Sequence, residues 1–524
     1  MHKKNKTIIL DIDALDKIGL DQFLKSHEWP VNEKDFRNLA NVIFYNYISY
    51  VKKLNGIDYN IAIIELRFLT ILTQILHYNY VKNYARINSI KLLETHRANF
   101  FLYPNWKEIE KSFSVFSYPY NKIWRNIRSI IKDIIFNTHL PFSQVLIGLF
   151  SKKKCISIGS FDKLKKQYIR ETNLFFHHVE WIDEINKIKN NDQFNGYKAI
   201  KKFRNNVVIP LFRKLKNNNT LKYFIEGLDL NSIENSWMQR ISDLYKISAG
   251  LAKQKSLTTL AVTECGNPFH KILCSAYKRK NSKVVIFNHG NDTCLIDQTW
   301  TKTYLFSLCD YVVFENKKIK TNFLNYKKSL PLNLLEKIKY INVTKEEKKK
   351  NKYFLNLSNN QNRIILIGFP MNTTRYIGDT LCFFNFKIKT EIHLLKELSK
   401  KNTYKIAYKA HPSTSKEMKK ILSSKVKLFL SRKLEDILSR QDILIFTYTS
   451  TSTFGYALKS KCPIILINYE KTAWIKKRKK NLEKRVAFIS YKKEKDYKKI
   501  KYEDIAKAIK LARKKVKNNI ITNI

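Results

Sequence analysis

The chain has 524 residues, of which 44% are hydrophobic and 27% are charged, and 98 Lys and Arg against 44 Asp and Glu give a formal net charge of +54. This apolar fraction excludes a disordered chain, and the length predicts two or three domains whose cores need neither disulfides nor structural metals. The low counts of Gly and Pro, 12 and 10, argue against collagen-like and many-turned all-β folds.

The positive charge is spread along the whole chain, with Lys, Asn and Ile abundant throughout, which indicates a compositional bias. A basic surface still attracts nucleic acid, anionic lipid or phosphorylated substrates. We favour attraction to phosphate groups or to a membrane, because net charge is unspecific and no RRM, KH, zinc-finger or basic-zipper signature is present. A basic nucleic-acid-binding protein is the alternative.

Cysteine usage and hydropathy predict the compartment. The seven cysteines are scattered without a CxxC pair, which argues against a disulfide framework or a zinc site and favours a reducing compartment. The first residues form a poor signal peptide, and no run of about 18 apolar residues is present. We therefore expect a cytoplasmic protein. Two basic runs, at 476–480 and 513–517, predict contact with the inner face of an anionic membrane, although solvated surface explains them equally well.

The first 250 residues predict mixed α/β structure. In chain order, the apolar patterns predict a strand at 7–10, helices at 35–54 and 60–89, a strand at 98–103 and a helix at 120–136. Asp11 and Asp13 follow the first strand as a DxD pair, which can hold Mg²⁺ in a metal enzyme or phosphohydrolase. No companion acidic cluster completes such a site, so this interpretation is the weakest.

A regular alternation of strands and helices begins near residue 255. The apolar run at 256–264 predicts a strand, and Asn267 and Pro268 predict the N-cap and first position of the helix that follows. Strands are predicted again at 283–291 and 309–316. Buried-type strands separated by a helix indicate a parallel sheet built from βαβ units.

A second alternation begins at residue 363. It predicts strands at 363–370, 403–410, 425–430, 442–449 and 463–468, with helices between them and a last helix at 502–516. The fold class is therefore α/β, with two Rossmann-like, doubly wound parallel-sheet domains facing each other across a cleft. We expect an N-terminal acceptor-side domain with a helical part at 1–320 and a C-terminal nucleotide-donor domain with a basic helical tail at 362–524. The Lys- and Asn-rich segment at 321–361 predicts a connector, or else a solvated helix.

Lys409, His411 and Pro412 follow the predicted strand at 403–410. In a parallel sheet, ligands bind beyond the carboxyl ends of the strands. Pro412 biases His411 towards an extended conformation, and His and Lys side chains can both donate hydrogen bonds to a phosphate. The pattern predicts a phosphate site, although a turn histidine that caps a helix would look the same.

Five hydroxyl residues, at 449–453, lie between the strand at 442–449 and the next helix. Side-chain hydroxyls, free backbone N–H groups and the helix dipole favour an anion there. Simple N-capping needs one of the five, so the run exceeds what a cap requires. The sequence carries neither GxxxxGK[ST] nor GxGxxG, which excludes a Walker loop and the dinucleotide fingerprint.

A third candidate group follows the strands at 256–264 and 283–291. His289 lies at a predicted strand end before Gly290, which permits close approach of a ligand. A neutral histidine can take a proton near pH 7. Glu264 ends the preceding strand and would lie beside His289 in a parallel sheet, and Asp292 follows closely. A structural histidine and an acidic residue at a helix start are the alternatives.

These motifs together resemble the C-terminal domain of bacterial GT-B transferases, which build capsule, lipopolysaccharide and teichoic-acid polymers. The resemblance covers roughly residues 255–470 and is nearest to CDP-glycerol glycerophosphotransferases, bacterial sialyl- and Kdo-transferases and related surface-carbohydrate transferases. It implies that His411-Pro412 and Ser450-Thr451, with Ser452 and Thr453 beside them, hold the donor phosphate, and that His289-Gly290 matches an H-G motif whose histidine is a proposed base.

The resemblance implies a metal-independent, GT-B-like transferase that moves a sugar or polyol phosphate from a nucleotide-activated donor to a surface polysaccharide or lipid-linked acceptor. A nucleotide-activated sugar or CDP-polyol is then a co-substrate, and no cofactor or metal is expected. In the mechanism that the resemblance implies, Lys409, His411 and the hydroxyls at 450–453 would neutralise the leaving phosphate. His289, or else Glu264 or Asp292, would deprotonate the acceptor hydroxyl.

Overall fold

The computed structural model describes residues 6–10, 12–94, 122–150, 155–160, 163–186, 196–253, 258–263, 265–288, 295–296, 299–314, 317–327, 339–342, 363–369, 384–412, 415–426, 428–470, 472 and 474–517. Within these residues the chain forms a largely helical N-terminal region followed by two six-stranded parallel sheets. The strand predicted at 98–103 lies outside the described residues.

The start of the chain is a helical layer with one short parallel strand pair. Its elements are β1 (Thr7–Ile9), α1 (Ile12–Ile18), α2 (Leu20–Ser26), α3 (Glu33–Val51), α4 (Gly56–Ile64), α5 (Leu66–Ile87) and β2 (Lys91–Leu93). The predicted strand at 7–10 and helix at 35–54 are confirmed. The helix predicted over 60–89 is instead two helices, bent by 43°. In the described residues no single helix is long and apolar enough to cross a membrane, and α4 with α5 meets that test only as a bent pair.

The helical region continues through residues 122–253, which also supply the first two strands of a sheet. The elements are α6 (Lys122–Phe136), α7 (Phe142–Phe150), β3 (Cys155–Ile158), α8 (Lys163–Thr172), β4 (His177–His178), α9 (Trp181–Asn186), α10 (Tyr197–Phe203), a π-helical turn (Arg204–Val208), α11 (Ile209–Lys216), a 3₁₀ turn (Asn219–Leu221), α12 (Lys222–Ile225) and α13 (Leu230–Ala252). The helix predicted at 120–136 is confirmed as α6.

A buried ion pair joins α13 to the bend between α4 and α5. The carboxylate of Glu65 is fully buried and accepts hydrogen bonds from Arg240 Nε at 2.9 Å and from Trp237 Nε1 at 2.8 Å. A buried carboxylate needs such partners, because desolvation penalises an unpaired charge. The bend that interrupts the predicted helix therefore lies at Glu65, whose carboxylate is held by hydrogen bonds from α13.

The first sheet is completed by alternating strands and helices: β5 (Thr259–Thr263), α14 (Pro268–Lys278), β6 (Lys283–Phe287), α15 (Thr299–Phe306), β7 (Tyr311–Phe314), α16 (Lys317–Lys327) and β8 (Lys339–Asn342). The strand order is β4-β3-β5-β6-β7-β8, and every pairing is parallel, as predicted. Asn267 caps α14 by accepting from Phe269 N at 2.9 Å, and Pro268 takes the first helical position. All five cysteines in the described residues are buried, and none of these five forms a disulfide.

The segment predicted as a connector contains structure. Within 321–361, the end of α16 runs to Lys327, and β8 pairs in parallel with β7 from Tyr311↔Lys339 to Phe314↔Asn342. The connector prediction is wrong for these elements, because β8 obtains its place from pairing with β7, which a Lys-rich composition does not reveal. Residues 328–338 and 343–361 lie outside the described part, and the domain boundaries themselves remain a prediction.

The second sheet contains β9 (Arg363–Ile367), β10 (Lys405–Lys409), β11 (Leu428–Leu430), β12 (Ile443–Phe446), β13 (Ile464–Tyr469) and β14 (Ala487–Tyr491). Its helices are α17 (Phe384–Leu398), α18 (Ser415–Leu422), α19 (Ser452–Lys459), α20 (Lys476–Arg485) and α21 (Tyr502–Lys517), with 3₁₀ turns at Leu434–Asp436 and Glu494–Lys499. The order β11-β10-β9-β12-β13-β14 is the Rossmann order 3-2-1-4-5-6, all parallel. The predicted fold class, two doubly wound α/β domains, is confirmed.

Two elements of this second sheet were not predicted. Helix α20 reads KKRKKNLEKR and lacks an apolar stripe, and of its side chains Leu482 and Arg485 are the buried ones. Strand β14 lies at the sheet edge and is only partly buried. Both elements are fixed by tertiary packing rather than by a local pattern, since Leu482 joins the apolar cluster formed by β9, β12 and β13.

Candidate active site

The predicted donor motifs follow the two strands that flank β9. In register, Lys409 of β10 and Phe446 of β12 both pair with Ile367, the last residue of β9. Two strand spacings separate them, which is about 10 Å of backbone. The strand order changes direction between β9 and β12, and ligands of doubly wound sheets bind at that point, beyond the carboxyl ends of the strands.

The motif after β10 begins with a buried lysine. The Lys409 side chain lies at the strand end, and its Nζ donates to the carbonyl of Ala410 at 3.0 Å. His411 is half-buried and Pro412 is exposed. The positive charge of the buried Lys409 therefore lies at the end of β10, two residues before His411, and positive charge there favours an anion.

The hydroxyl run after β12 starts helix α19. Thr451 is the N-cap, with its Oγ1 accepting from Thr453 N at 3.3 Å and its carbonyl accepting from Phe454 N at 3.1 Å. The capping role thus belongs to Thr451. Ser450 and Thr453 are half-buried and Ser452 is exposed, so these hydroxyls lie around the positive end of the helix dipole.

A buried glutamate that sequence reasoning missed ties the three strand ends together. The Glu391 carboxylate, on α17, accepts from Phe369 N at 2.7 Å, from Tyr408 Oη at 2.7 Å and from Thr447 Oγ1 at 3.1 Å. These donors follow β9, lie in β10 and follow β12. Complete burial raises the pKa of Glu391 to about 7, although its three hydrogen bonds and the nearby Lys387 act in the opposite direction.

The residues around Glu391 leave little free space. Gly368 N donates to Lys409 O at 2.9 Å, and a Cβ placed on Gly368 would lie 2.2 Å from Tyr408 Oη. Lys387 Nζ donates to the carbonyl of Thr447. The carboxyl ends of β9, β10 and β12 are thereby held in one hydrogen-bonded arrangement beneath the donor motifs.

The sequence contained a signal for Glu391. It occupies the apolar stripe of α17 formed by Ile388, Ile392, Leu395 and Leu398, all of which are buried. An acidic residue at a core position of an amphipathic helix predicts a buried carboxylate with partners, because burial without them is costly.

The predicted catalytic residues, Glu264, His289 and Asp292, lie outside the described residues. The strands before them are described: β5 and β6 are parallel neighbours with Thr263 in register with Phe287, so the ends of the two strands lie side by side. Asn288, immediately before His289, is buried, and its N–H donates to Val313 O at 3.0 Å. The catalytic roles stay predictions.

Segments that follow strands of the two sheets contact each other. Past the end of β6, Leu295 O accepts from Ile475 N at 3.0 Å, and Ile296 forms an antiparallel bridge with Trp474, past the end of β13. Arg478, on α20, donates to Asn322 O of α16 at 2.8 Å. The segments that follow β6 of the first sheet and β13 of the second sheet therefore meet at one junction.

The DxD alternative gains no support from the described residues. Asp13 Oδ1 lies 3.5 Å from Lys420 Nζ, which also pairs with Asp16 at 2.9 Å, and Asp11 lies outside the described part. In the described part of the chain, no group of three His, Cys, Asp or Glu side chains is arranged to hold a metal ion.

One family model matches part of the chain. Residues 313–496 match the family model described as CDP-Glycerol:Poly(glycerophosphate) glycerophosphotransferase. Among curated proteins, none matches the chain. Two solved structures are similar at 14% identity: UDP-GlcNAc 2-epimerase of Methanocaldococcus jannaschii, in complex with UDP-GlcNAc and UDP (TM-score 0.36, covering 68% of this chain and 92% of that one), and UDP-N-acetylglucosamine 2-epimerase of Rickettsia bellii (TM-score 0.34, 69% and 87%).

The matched range contains the whole of the second sheet and both donor motifs. The resemblance predicted over roughly residues 255–470 and the match of the family model overlap at 313–470, whereas His289-Gly290 lies before the matched range. The predicted resemblance of this chain to the CDP-glycerol glycerophosphotransferases is confirmed over residues 313–496.

Proposed function

We propose that the protein transfers a sugar or polyol phosphate from a nucleotide-activated donor to a surface polysaccharide or lipid-linked acceptor, without a metal ion. One observation carries the proposal: the two motifs that the sequence predicts to bind a phosphate follow the strands on either side of β9, at the switch point of a Rossmann-ordered sheet, within the range that matches the glycerophosphotransferases.

The donor phosphates bind between the two motifs. Lys409 and His411 approach from β10, while the hydroxyls of Ser450 and Thr453 and the N-terminus of α19 approach from β12. Charge that develops on the leaving nucleotide in the transition state is neutralised by these fixed groups. Glu391 touches no substrate and acts as a positioning residue, because it holds Tyr408 and Thr447, on the strands that present the motifs.

The acceptor hydroxyl attacks from the side of the first sheet. Its oxygen forms the new bond to the transferred group, the bond from that group to the nucleotide breaks, and the hydroxyl proton passes to His289. Glu264 orients the imidazole or replaces it as base, and Asp292 is the remaining candidate. Closure of the junction between the two sheets excludes water from the activated donor.

A thermal-shift screen with CMP, CDP, UDP, GDP and their sugar or polyol conjugates tests the donor class. A ligand that binds the native state raises the melting temperature by mass action, so one nucleotide should stand out. Steeply salt-dependent binding to arbitrary DNA, with no response to any nucleotide, would instead favour the nucleic-acid-binding alternative.

Steady-state kinetics test the base. We expect His289→Ala to lower kcat by about 10²–10⁴-fold while donor binding is kept, and Glu264→Gln to cost less. Loss of turnover in Glu264→Gln with little change in His289→Ala would reverse the two roles. Turnover should persist in excess chelator, and its loss there would reject the metal-independent mechanism.

A further inference from the structure

Helix α6 faces the protein with its polar side. Ser129 Oγ donates to His178 O at 2.6 Å, and Lys132 Nζ donates to Glu180 Oε1 at 2.8 Å. The buried Asp133 carboxylate accepts from the backbone N–H of His178 and lies 3.1 Å from the ring Nδ1 of the neighbouring His177. The polar face of α6 is thus hydrogen-bonded to strand β4, at the edge of the first sheet.

The opposite face of α6 and the outer face of α7 carry large apolar side chains that are exposed. Their exposed fractions run from 41% to 88%, for Ile130, Ile131, Ile134, Ile135, Phe142, Leu146, Ile147 and Phe150. Helix α7 is anchored from its other side, where Val145 is buried and Gly148 packs against the ring of Phe175. We call these eight side chains the apolar face.

A surface helix of a soluble globular protein normally buries its apolar stripe and exposes its polar side chains. In α6 the arrangement of the two faces is reversed. The hydrogen bonds of Ser129, Lys132 and Asp133 fix the orientation, so α6 cannot rotate to bury its isoleucines without losing them. Contiguous exposed apolar patches of this kind mark interaction sites. The apolar face is therefore built to meet something outside the described fold.

The charges around the apolar face select its partner. The exposed Arg170, on α8, lies near His139 in the turn between α6 and α7, and Lys166 is exposed one turn earlier on the same helix. A second copy of a chain with a net charge of +54 would bring like charge, whereas an anionic bilayer brings the complementary charge.

We propose that the apolar face of α6 and α7 docks on an anionic lipid bilayer, with the isoleucine and phenylalanine side chains at the level of the head groups and the flanking Lys and Arg on anionic lipids. This surface differs from the basic runs that the sequence singled out at 476–480 and 513–517. In those runs, Arg478 donates to Asn322 O and Lys515 donates to Val486 O, so part of their charge serves contacts within the protein. The proposal does not rest on the transferase function.

Vesicle co-sedimentation of the full chain tests the proposal. The vesicles contain phosphatidylethanolamine and phosphatidylglycerol at 3:1, with phosphatidylcholine vesicles as the neutral comparison. We expect the wild type to prefer the anionic vesicles, and Ile131→Ser/Ile135→Ser/Ile147→Ser/Phe150→Ser to bind them at least tenfold more weakly. Phe150→Ser alone, at the most exposed position, should weaken binding a few-fold and gives a readout even if the fourfold variant folds poorly.

The matched control changes exposed apolar residues elsewhere, as Ile87→Ser/Leu511→Ser, which are 62% and 43% exposed. This control should bind vesicles within twofold of the wild type. Equal vesicle binding by the wild type and the fourfold variant would overturn the proposal. Sedimentation velocity supplies a second test. If the wild type is a dimer, the fourfold variant is a monomer and both bind vesicles equally, the apolar face is an interface with a second copy and the proposal is overturned.

Discussion

The buried carboxylate of Glu391 makes a pH-dependent contribution to stability whose sign follows from the structure. Burial raises its pKa from 4.5 to about 7, so between these values the native state keeps a proton that the unfolded chain has released. The protonated carboxyl group therefore adds to the free energy of unfolding. This stabilisation is fully present below pH 4.5 and is lost as the pH rises through 7. Over that range it amounts to roughly 3 kcal/mol, at about 1.4 kcal/mol for each tenfold change in proton affinity.

Glu391→Gln removes this titration and keeps the shape and one acceptor oxygen. We expect the free energy of unfolding of the variant, relative to the wild type, to rise by roughly 3 kcal/mol between pH 4.5 and pH 7. Urea unfolding of the full chain at pH 5 and pH 8 measures the difference, in which the titrations of all other groups cancel. At pH 5, Glu391→Ala should destabilise the protein more than Glu391→Gln does, because the alanine leaves the Tyr408 and Thr447 hydroxyls without their acceptor.

Glu397→Gln is the matched control, since Glu397 lies on the same helix and is also buried but pairs with Lys400 at 2.6 Å. Glu391→Gln should alter the pH dependence of unfolding more than Glu397→Gln does. If Glu391→Gln keeps the wild-type pH dependence, the buried carboxylate is not its source, and the role given to Glu391 at the strand ends loses its energetic basis.

Three further substitutions probe the scaffold. Thr451→Ala should lower stability by about 1 kcal/mol through loss of the α19 cap, and urea unfolding with no change would argue against that cap. Arg240→Ala should cost about 3–5 kcal/mol, because Glu65 would remain buried and unpaired, and a melting temperature like that of the wild type would refute this. Gly368→Ala should cost about 1–3 kcal/mol and weaken nucleotide binding, since its Cβ would collide with Tyr408, whereas unchanged stability and affinity would show that the strand ends adapt freely.

The parts of the fold that the sequence predicted are those with strong local patterns. The β9 sequence RIILI and the β12 sequence ILIF are buried on both faces and read as continuous apolar runs, and the cap at Asn267 has a side chain typical of that position. Strand β8 and helix α20 lack such patterns. Contacts with neighbouring elements hold both of them in place, and a local pattern does not show those contacts. Local sequence therefore specified the central strands better than the elements at the periphery.

Two features of the sites show where local reasoning stops. The amphipathic pattern of α6 was readable, but a pattern does not say which face points inward, and Asp133 turns the polar face towards β4. Glu391 stood on an apolar stripe, yet its partners come from three strands far apart in sequence. Both required tertiary structure, whereas the donor motifs were recognisable from their place after predicted strands.

The most direct test of the account measures donor-nucleotide affinity by calorimetric titration, with the nucleotide that the thermal-shift screen selects. His411→Ala and Ser450→Ala/Thr451→Ala should each weaken binding at least tenfold while the fold is kept, because each removes donors from one side of the phosphate site. Ser423→Ala, an exposed hydroxyl after α18, is the control and should bind like the wild type. Wild-type affinity in both site variants would contradict the assignment of the phosphate site to the strand ends beside β9.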